Sequence, residues 1–186
     1  MDKIKTLIEK APAFSPDGSI KTGLLPLDFI ELYRNNAPRV FYYFYSRVRN
    51  TADAEDLTSQ TFISAFENLT RLRDSRKFTS WLFSIARHKA SDFIRRDFRH
   101  PLDDFNEEFD FHKPSVGGLS QADRERLREL EQIISRLSPQ EQEYLRLRIV
   151  AELPFAEIAS ILNEPETRLK KKYYRLLERL QAQVEK

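Results

Sequence analysis

The sequence lacks cysteine and has little glycine. Its 186 residues include no cysteine, four glycines and a single methionine. Without cysteine there is no disulfide framework, no thiolate metal site and no cysteine nucleophile. The scarcity of glycine, together with long apolar patterns of helical period, favours an all-α protein.

Long apolar runs are also missing. None reaches the roughly 18 residues that a membrane-spanning helix needs. The N-terminus, MDKIKTLIEK, is charged throughout and lacks the apolar segment of a signal peptide. We therefore expect a cytoplasmic protein with no membrane insertion.

The sequence patterns of common catalytic centres are absent as well. There is no Gly-rich phosphate loop, no G-x-S-x-G motif and no H-E-x-x-H motif. His88, His100 and His112 are scattered without the spacing of metal ligands. The carboxylates cluster at one helix start and in one linker instead of around a pocket. We predict a protein that is not an enzyme and that uses no metal and no cofactor.

The charges that are present lie in blocks. The formal net charge is only +2, yet nine basic and three acidic residues lie between Arg71 and Arg99. Such an excess on a loop and one helix face suits a phosphate backbone. Residues 100–118 contain five acids between Asp103 and Asp110, interleaved with phenylalanines and flanked by Pro101 and Pro114. This composition is typical of a flexible interdomain linker.

The first half of the chain reads as helices with a break. Asp28 is predicted to cap a first helix, and residues 35–38, NNAP, are predicted to interrupt it. Thr51 is predicted to cap the next helix, with Asp53, Glu55 and Asp56 in its first turn, where the helix dipole favours carboxylates. Residues 71–77 read as a basic loop, and residues 80–96 as a helix with an apolar and a basic side.

The second half of the chain carries stronger signals for where its helices begin. Residues 138–141, SPQE, form a capping box with proline at the first helical position. Pro154 opens a short helix, residues 163–165 (NEP) make a turn, and a long helix with one basic face follows. A short helix, a tight turn and a longer basic helix are the pattern of a helix-turn-helix, whose second helix fits the DNA major groove.

Two stretches of the sequence resemble the same family. Residues 54–96 (AEDLTSQTFISAF…FTSWLFSIARHKASDFIRR) resemble region 2 of the extracytoplasmic-function sigma factors of bacteria, members of the sigma-70 family. Residues 137–180 (LSPQEQEYLRLRIVAELPFAEIASIL…RLLERL) resemble their region 4. The resemblance implies two small helical domains joined by a flexible acidic linker: an N-terminal extension (1–23), region 2 (24–99), the linker (100–122) and region 4 (123–186).

The resemblance also implies a function. A sigma factor binds core RNA polymerase and directs promoter-specific initiation by recognising the −35 element and melting the −10 element. The implied partners are core polymerase, through its β′ clamp and β flap, promoter DNA and an anti-sigma protein. In the family, the acidic start of the second region-2 helix docks on the β′ clamp. The matching polymerase-binding residues here are Asp53, Glu55, Asp56 and Gln60.

The family pattern places DNA contacts in both domains. The basic loop and the helix after it match the segments that hold the opened −10 strand, and Trp81 in this helix is interpreted as a core residue in preference to a wedge between bases. The implied −10 residues are Arg71, Arg73, Asp74, Ser75, Arg76, Lys77, Arg87, His88, Ser91, Arg95 and Arg96. The implied −35 residues lie on the last helix and are Glu166, Thr167, Arg168, Lys170, Lys171, Lys172, Arg175 and Arg179.

The chain departs from the family pattern in three places. Ser59 and Gln60 stand where glutamine and an acid are usual, so the docking face loses one charge. His88 stands where asparagine is common. Residues 167–170 read TRLK where G-T-V-K is usual, which makes Arg168 a candidate for a new base contact.

Other functions remain open. A sigma-like decoy that binds polymerase or an anti-sigma protein without initiating transcription is the main alternative, suggested by Ser59 and Gln60. A conventional helix-turn-helix repressor would leave residues 27–99 unexplained. A nuclease would need metal ligands that the sequence does not offer.

Overall fold

The computed structural model describes residues 26–97 and 120–184, and both ranges are helical with no strand. The N-terminal extension and most of the acidic linker lie outside the described residues. No helix in either range is long and apolar enough to cross a membrane. The helices are α1 (Pro26–Val48), α2 (Thr51–Glu67), α3 (Phe78–Asp97), α4 (Gln121–Ser135), α5 (Pro139–Leu145), α6 (Phe155–Leu162) and α7 (Glu166–Val184).

Helix α1 runs without interruption through Pro38, so the predicted break at residues 35–38 is wrong. Proline inside a helix costs about 3 kcal/mol because it removes one backbone hydrogen bond and crowds the preceding turn. Phe29 before it, and Tyr43 and Phe44 after it, are all buried in one core. Burial of such side chains yields about 1.5–3 kcal/mol each, which exceeds the cost of the proline. The helix also begins at Pro26, so Asp28 is not its cap.

Helix α2 is capped one residue earlier than expected. The side chain of Asn50, not Thr51, accepts a hydrogen bond from the backbone N–H of Asp53 at 3.0 Å. Of the three carboxylates predicted for the first turn, only Asp53 lies there. The buried side of α2 consists of Ala54, Leu57, Thr58, Thr61, Phe62 and Ala65.

Helices α1 to α3 form a bundle around an aromatic core. The ring of Phe29 meets those of Phe62 and Phe78 edge to face, with centroids 6.4 Å and 6.1 Å apart. Edge-to-face contacts of this kind favour the positive rim of one ring against the negative face of another. Trp81 is partly buried and packs against this core, in agreement with its interpretation as a core residue.

The second half begins with two capping boxes. Ser138 accepts from the N–H of Glu141 and receives the Glu141 carboxylate on its own N–H, with Pro139 in the first turn, as predicted. An equivalent box between Ser120 and Asp123 starts α4, so the helix begins within the segment assigned to the linker. A π-helical segment, Arg146–Val150, follows α5. Helix α6 ends at Leu162 and is capped by Asn163 in the left-handed conformation, and α7 completes the predicted helix-turn-helix.

The two halves pack against each other. Helix α3 lies on α6, and α1 lies on the π-helical segment. Buried side chains from both halves belong to one continuous apolar cluster. The sequence predicts two domains joined by a linker and gives no sign of this contact, because the residues that make it are about a hundred positions apart.

The cap assignment predicts unequal effects of two neighbouring substitutions. Asn50→Ala should lower the free energy of unfolding by about 1 kcal/mol, because the Asp53 N–H loses its partner. Thr51→Ala should change it by less than about 0.5 kcal/mol, as for other exposed sites. Urea denaturation followed by circular dichroism measures both, and a larger loss in Thr51→Ala would contradict the cap seen here.

Candidate nucleic-acid interface

The predicted polymerase-binding residues lie on the outer side of α2. Glu55 and Asp56 are exposed, while Asp53 and Gln60 are half-buried. Gln60 Nε2 donates a hydrogen bond to Asp56 Oδ2 at 2.5 Å, one helical turn away. The amide that replaces the family's acid therefore holds the neighbouring carboxylate in place. The result is an acidic surface opposite the buried face of the helix.

The basic loop is ordered by two single-turn 3₁₀ helices, Leu69–Arg71 and Ser75–Lys77. Asp74 starts the second turn by accepting hydrogen bonds from the backbone and side chain of Arg76. These Arg76 hydrogen bonds lower the pKa of Asp74. Asp74 and Arg76 therefore shape the loop. Three further cations, Arg71, Arg73 and Lys77, are exposed and make no ion pair with a described residue.

Helix α3 presents most of its predicted DNA residues to solvent. His88, Ser91, Arg95 and Arg96 are exposed, on the side away from buried residues such as Leu82 and Ala86. His88 Nδ1 lies 2.7 Å from the carbonyl oxygen of Ser84. Because a carbonyl only accepts, this nitrogen must carry the proton, and Nε2 remains available on the outside.

Arg87 is partly exposed, with 42% of its side chain accessible. Its guanidinium points toward the second half, where its Nε lies 3.7 Å from Glu143 Oε1. Tyr43 donates its hydroxyl to the same oxygen at 2.8 Å, and Arg47 Nη2 lies 3.0 Å from Glu143 Oε2. We call Tyr43, Arg47, Arg87 and Glu143 the Glu143 cluster. Burial, reinforced by the nearby Glu143 carboxylate, raises the pKa of Tyr43, so its hydroxyl stays protonated and donates.

The recognition helix α7 divides its cations into two kinds. Lys172 is bound to Glu164 of the turn and to the Tyr144 hydroxyl of α5, and Tyr144 also donates to Glu164 at 2.9 Å. The hydrogen bond to Glu164 raises the pKa of Lys172. Lys172 therefore fixes the turn of the motif onto α5. This gives Lys172 a structural role in addition to the DNA role predicted for it.

The remaining predicted −35 residues differ in exposure and in whether they already form an ion pair within the chain. Lys170 Nζ lies 2.6 Å from Glu166 Oε1, and Arg179 Nη2 lies 2.6 Å from Glu141 Oε1. Arg168 Nε is 3.6 Å from Glu164 Oε1, but two-thirds of the side chain is exposed. The predicted residues that are exposed and make no ion pair with a described residue are Thr167, Lys171 and Arg175.

One residue on this face was not predicted. Tyr174 is 54% exposed, and its ring lies 5.9 Å from that of Phe155 at the start of α6. It sits between Lys171 and Arg175 on the outer side of α7. Exposed aromatic rings beside cations are suited to contacts with nucleic acid. The signal in the sequence is its position directly after Tyr173, because neighbouring residues of a helix point about 100° apart and Tyr173 is buried.

Metal chemistry finds no support in the described part of the chain. Within residues 26–97 and 120–184, no three His, Asp or Glu side chains are arranged to hold a metal ion. His88 is the one histidine that these ranges contain. The surfaces described above consist of cations, hydroxyls and one acidic patch, which are suited to binding charged partners.

Comparison with known proteins identifies both halves. The family model of Sigma-70 region 2 matches residues 32–100, and that of Sigma-70, region 4 matches residues 127–180. The RNA polymerase sigma factor CarQ of Myxococcus xanthus is 32% identical over 133 residues, which cover 72% of this chain and 75% of CarQ. The chain belongs to the sigma-70 family of RNA polymerase sigma factors.

Other sigma factors extend the match. The ECF RNA polymerase sigma factor BldN of Streptomyces coelicolor is 32% identical over 186 residues; the match covers 96% of this chain but 64% of BldN. The sigma factor RpoE from Bartonella quintana, solved in complex with the anti-sigma factor NepR, superposes with a TM-score of 0.65 over 85% of this chain and 97% of that one. At 22% identity, that likeness concerns the fold.

The two kinds of lysine on α7 predict opposite phenotypes. Lys171→Ala should weaken binding to duplex DNA and reduce the slope of log K against log salt by about 1, because one phosphate contact is lost. Its thermal unfolding should stay unchanged. Lys172→Ala should instead lower the unfolding midpoint, because Glu164 and Tyr144 lose a shared partner. Fluorescence anisotropy and differential scanning fluorimetry distinguish them, and the reverse pattern would contradict the assignment.

Proposed function

We propose that this sigma factor is an alternative promoter-specificity subunit that works in the cytoplasm and has no catalysis of its own. It binds core RNA polymerase through α2, holds opened −10 DNA with the basic loop and α3, and reads the −35 element with α7. The observation that carries this proposal is the presence of two separate cationic surfaces, one within each matched sigma-70 region.

The proposed polymerase dock is the acidic side of α2. In the family this helix meets a basic coiled coil of the β′ clamp, and opposite charges would steer association and fix the register of the complex. Asp53, Glu55 and Asp56 supply the negative charge. Gln60 supplies none, but its hydrogen bond to Asp56 limits the orientations of that carboxylate. This arrangement supports docking despite the departure from the family pattern.

The proposed −10 surface begins at the loop. Arg71, Arg73 and Lys77 are exposed cations, and Arg95 and Arg96 continue the positive surface on α3. Single-stranded DNA is held by cationic side chains along its backbone and by planar groups against its bases. We assign the loop and the outer side of α3 to the non-template strand of the opened element.

The proposed −35 surface is the outer side of α7. Lys171 and Arg175 are placed for phosphate contacts, and Tyr174 for a contact with sugar or base. Arg168 lies in the first turn of the helix, the part of a recognition helix that contacts base edges. The ion pair between Arg168 Nε and Glu164 Oε1 is long, at 3.6 Å, and the side chain is largely exposed. The guanidinium can therefore turn toward a guanine, with which arginine forms two hydrogen bonds.

An anti-sigma protein is a further proposed partner. The structurally similar RpoE was solved in complex with the anti-sigma factor NepR, and the resemblance to the family implies such a partner here. Co-purification of the chain from its own cells, followed by mass spectrometry, tests this part of the proposal separately from its activity.

Run-off transcription with core polymerase tests the proposed function. Promoter-specific transcripts that appear only when the chain is added support a sigma factor. Binding to core without transcripts from any genomic template would support the decoy, the alternative suggested by Ser59 and Gln60. Start sites mapped after overexpression supply the templates.

Reversal of the exposed acids of α2 should weaken the complex with core polymerase. The variant Glu55→Lys with Asp56→Lys leaves Asp53 in the first turn, so the helix keeps its favourable dipole contact. We expect the dissociation constant to rise about tenfold or more, since attraction becomes repulsion. Glu125→Lys with Glu129→Lys on α4 is the matched control, and an equal effect of the two variants would contradict the docking assignment.

Substitution of Arg168 separates base reading from phosphate contact. Arg168→Ala should cost about 1–3 kcal/mol in binding to a −35 duplex if the guanidinium bonds to a base. Binding to a scrambled duplex should change much less. A similar loss on both duplexes would make Arg168 a phosphate contact and would overturn its assignment to specificity.

A further inference from the structure

The contact between the two halves contains a buried carboxylate whose partners all come from the other half. Glu143 belongs to α5 and is 4% exposed. Its hydrogen-bond and ion-pair partners are Tyr43 and Arg47 of α1 and Arg87 of α3. A buried carboxylate without partners is strongly unfavourable. The hydrogen-bond and ion-pair partners of Glu143 are therefore present only while the halves are together, whereas Arg146 of its own half adds positive charge in either state.

A second polar contact lies nearby. Arg39 of α1 donates from Nε to the carbonyl of Ala151 at 2.8 Å and from Nη2 to the carbonyl of Glu152 at 3.3 Å. Both carbonyls belong to the short segment that leads from the π-helical segment into α6. The Arg39 guanidinium also lies 5.9 Å from the ring centroid of Phe83. Arg39 thus connects α1, α3 and the start of the helix-turn-helix.

Apolar burial surrounds these polar contacts. Phe83 on the first half, and Leu147 and Leu153 on the second, are completely buried. The polar contacts define how the apolar surfaces fit together, because a shift in register would leave Glu143 without its partners. We call the arrangement in which the two halves pack together the closed arrangement. The polar contacts make it a specific one.

The closed arrangement is incompatible with simultaneous binding to both promoter elements. Elements centred about 25 base pairs apart, as at −35 and −10, are separated by about 85 Å of B-DNA. A compact chain of this length has a radius of gyration of about 16 Å and is roughly 40 Å across. With α3 packed on α6, the −10 surface and α7 cannot span that distance. The halves have to separate before both elements are bound.

The closed arrangement also occupies part of the DNA-binding surface. Arg87 is one of the residues assigned to the −10 element, and here it faces Glu143. A carboxylate in this position substitutes for a phosphate. His88, Ser91 and Arg95 of the same helix stay exposed, so the withheld residue is Arg87.

We propose that the Glu143 cluster is an autoinhibitory latch, which holds the free chain closed, withholds Arg87 from DNA and is released when the chain joins core polymerase. The proposal rests on the proposed function, because the surfaces it withholds are the DNA-binding ones. The dock on α2 stays exposed in the closed state, so polymerase can bind first and open the chain afterwards.

Opening is favoured by the incomplete bonding of the cluster. Arg47 Nη1 is buried and has no hydrogen-bond partner among the described residues, and Glu143 Oε2 has only its ion pair with Arg47 Nη2 at 3.0 Å. In the open state water would satisfy both atoms. The latch is thus specific when closed, yet its polar groups lose little when the halves separate.

Two labels report on the state of the latch. The chain has no cysteine, so Thr70→Cys and Ser160→Cys, at exposed sites on the two halves, accept a donor and an acceptor dye. Free wild type should show one high-transfer population. Glu143→Lys places a cation beside Arg47 and Arg87 and should lower the closed-to-open ratio about tenfold to a hundredfold, the effect expected for lost charged hydrogen bonds. Glu129→Lys, at an exposed site on α4, carries the same charge change and should stay closed.

A second variant and a second readout complete the test. Arg39→Ala should open the chain from the other side of the contact without altering the Glu143 cluster. Binding of a fluorescein-labelled single-stranded DNA of mixed sequence should be several-fold tighter for Glu143→Lys than for Glu129→Lys. Circular dichroism checks that both variants keep their helix content.

The outcomes are distinguishable. Unchanged energy transfer in both Glu143→Lys and Arg39→Ala would overturn the latch. Opening without tighter DNA binding than the Glu129→Lys control would overturn its autoinhibitory role. Failure of the wild-type chain to support run-off transcription would instead count against the proposed function, and the energy-transfer result does not depend on it.

Discussion

A single buried carboxylate determines how the halves of this sigma factor fit together. Glu143, on α5, forms its hydrogen bond and ion pairs with side chains of α1 and α3, and Arg146 of its own half adds positive charge nearby. Burial lowers the pKa of the adjacent Arg146, and the charge of Arg47 adds to the effect. Cations thus outnumber the carboxylate at this contact.

Local sequence signals predicted the second half of the chain well and the first half less well. The capping box at Ser138 and the turn that begins at Asn163 are decided by their nearest neighbours, so short motifs reveal them. Continuity through Pro38 is decided by aromatic packing between α1, α2 and α3, which no local pattern contains. The cap at Asn50 was missed by one residue because Thr51 is also a good capping residue, and only the backbone geometry selects between them.

In the candidate interfaces, too, local features were predicted and features that depend on tertiary packing were not. Residue type and helical period locate the cations of the loop, α3 and α7, because an exposed face repeats every three or four positions. They do not reveal which cations already have partners. Lys172 is bound to Tyr144, 28 residues away, and Arg87 faces Glu143, 56 residues away. Those pairings depend on how the helices pack. The predicted −10 and −35 residues therefore include both cations that are available to DNA and cations that bind other parts of the chain.

An ionic contact is better suited than an apolar one to a joint that has to open. Separation of apolar surfaces exposes area at about 25 cal/mol for each Å², and water offers nothing in return. Separation of a buried ion pair exposes charges that water solvates well, so the net stability lost is small. Removal of one partner is different, since it leaves the other charge buried and uncompensated. The Glu143 cluster therefore defines the closed state at a small polar cost of opening, while the apolar contacts of Phe83, Leu147 and Leu153 supply the rest of the stability that opening has to overcome.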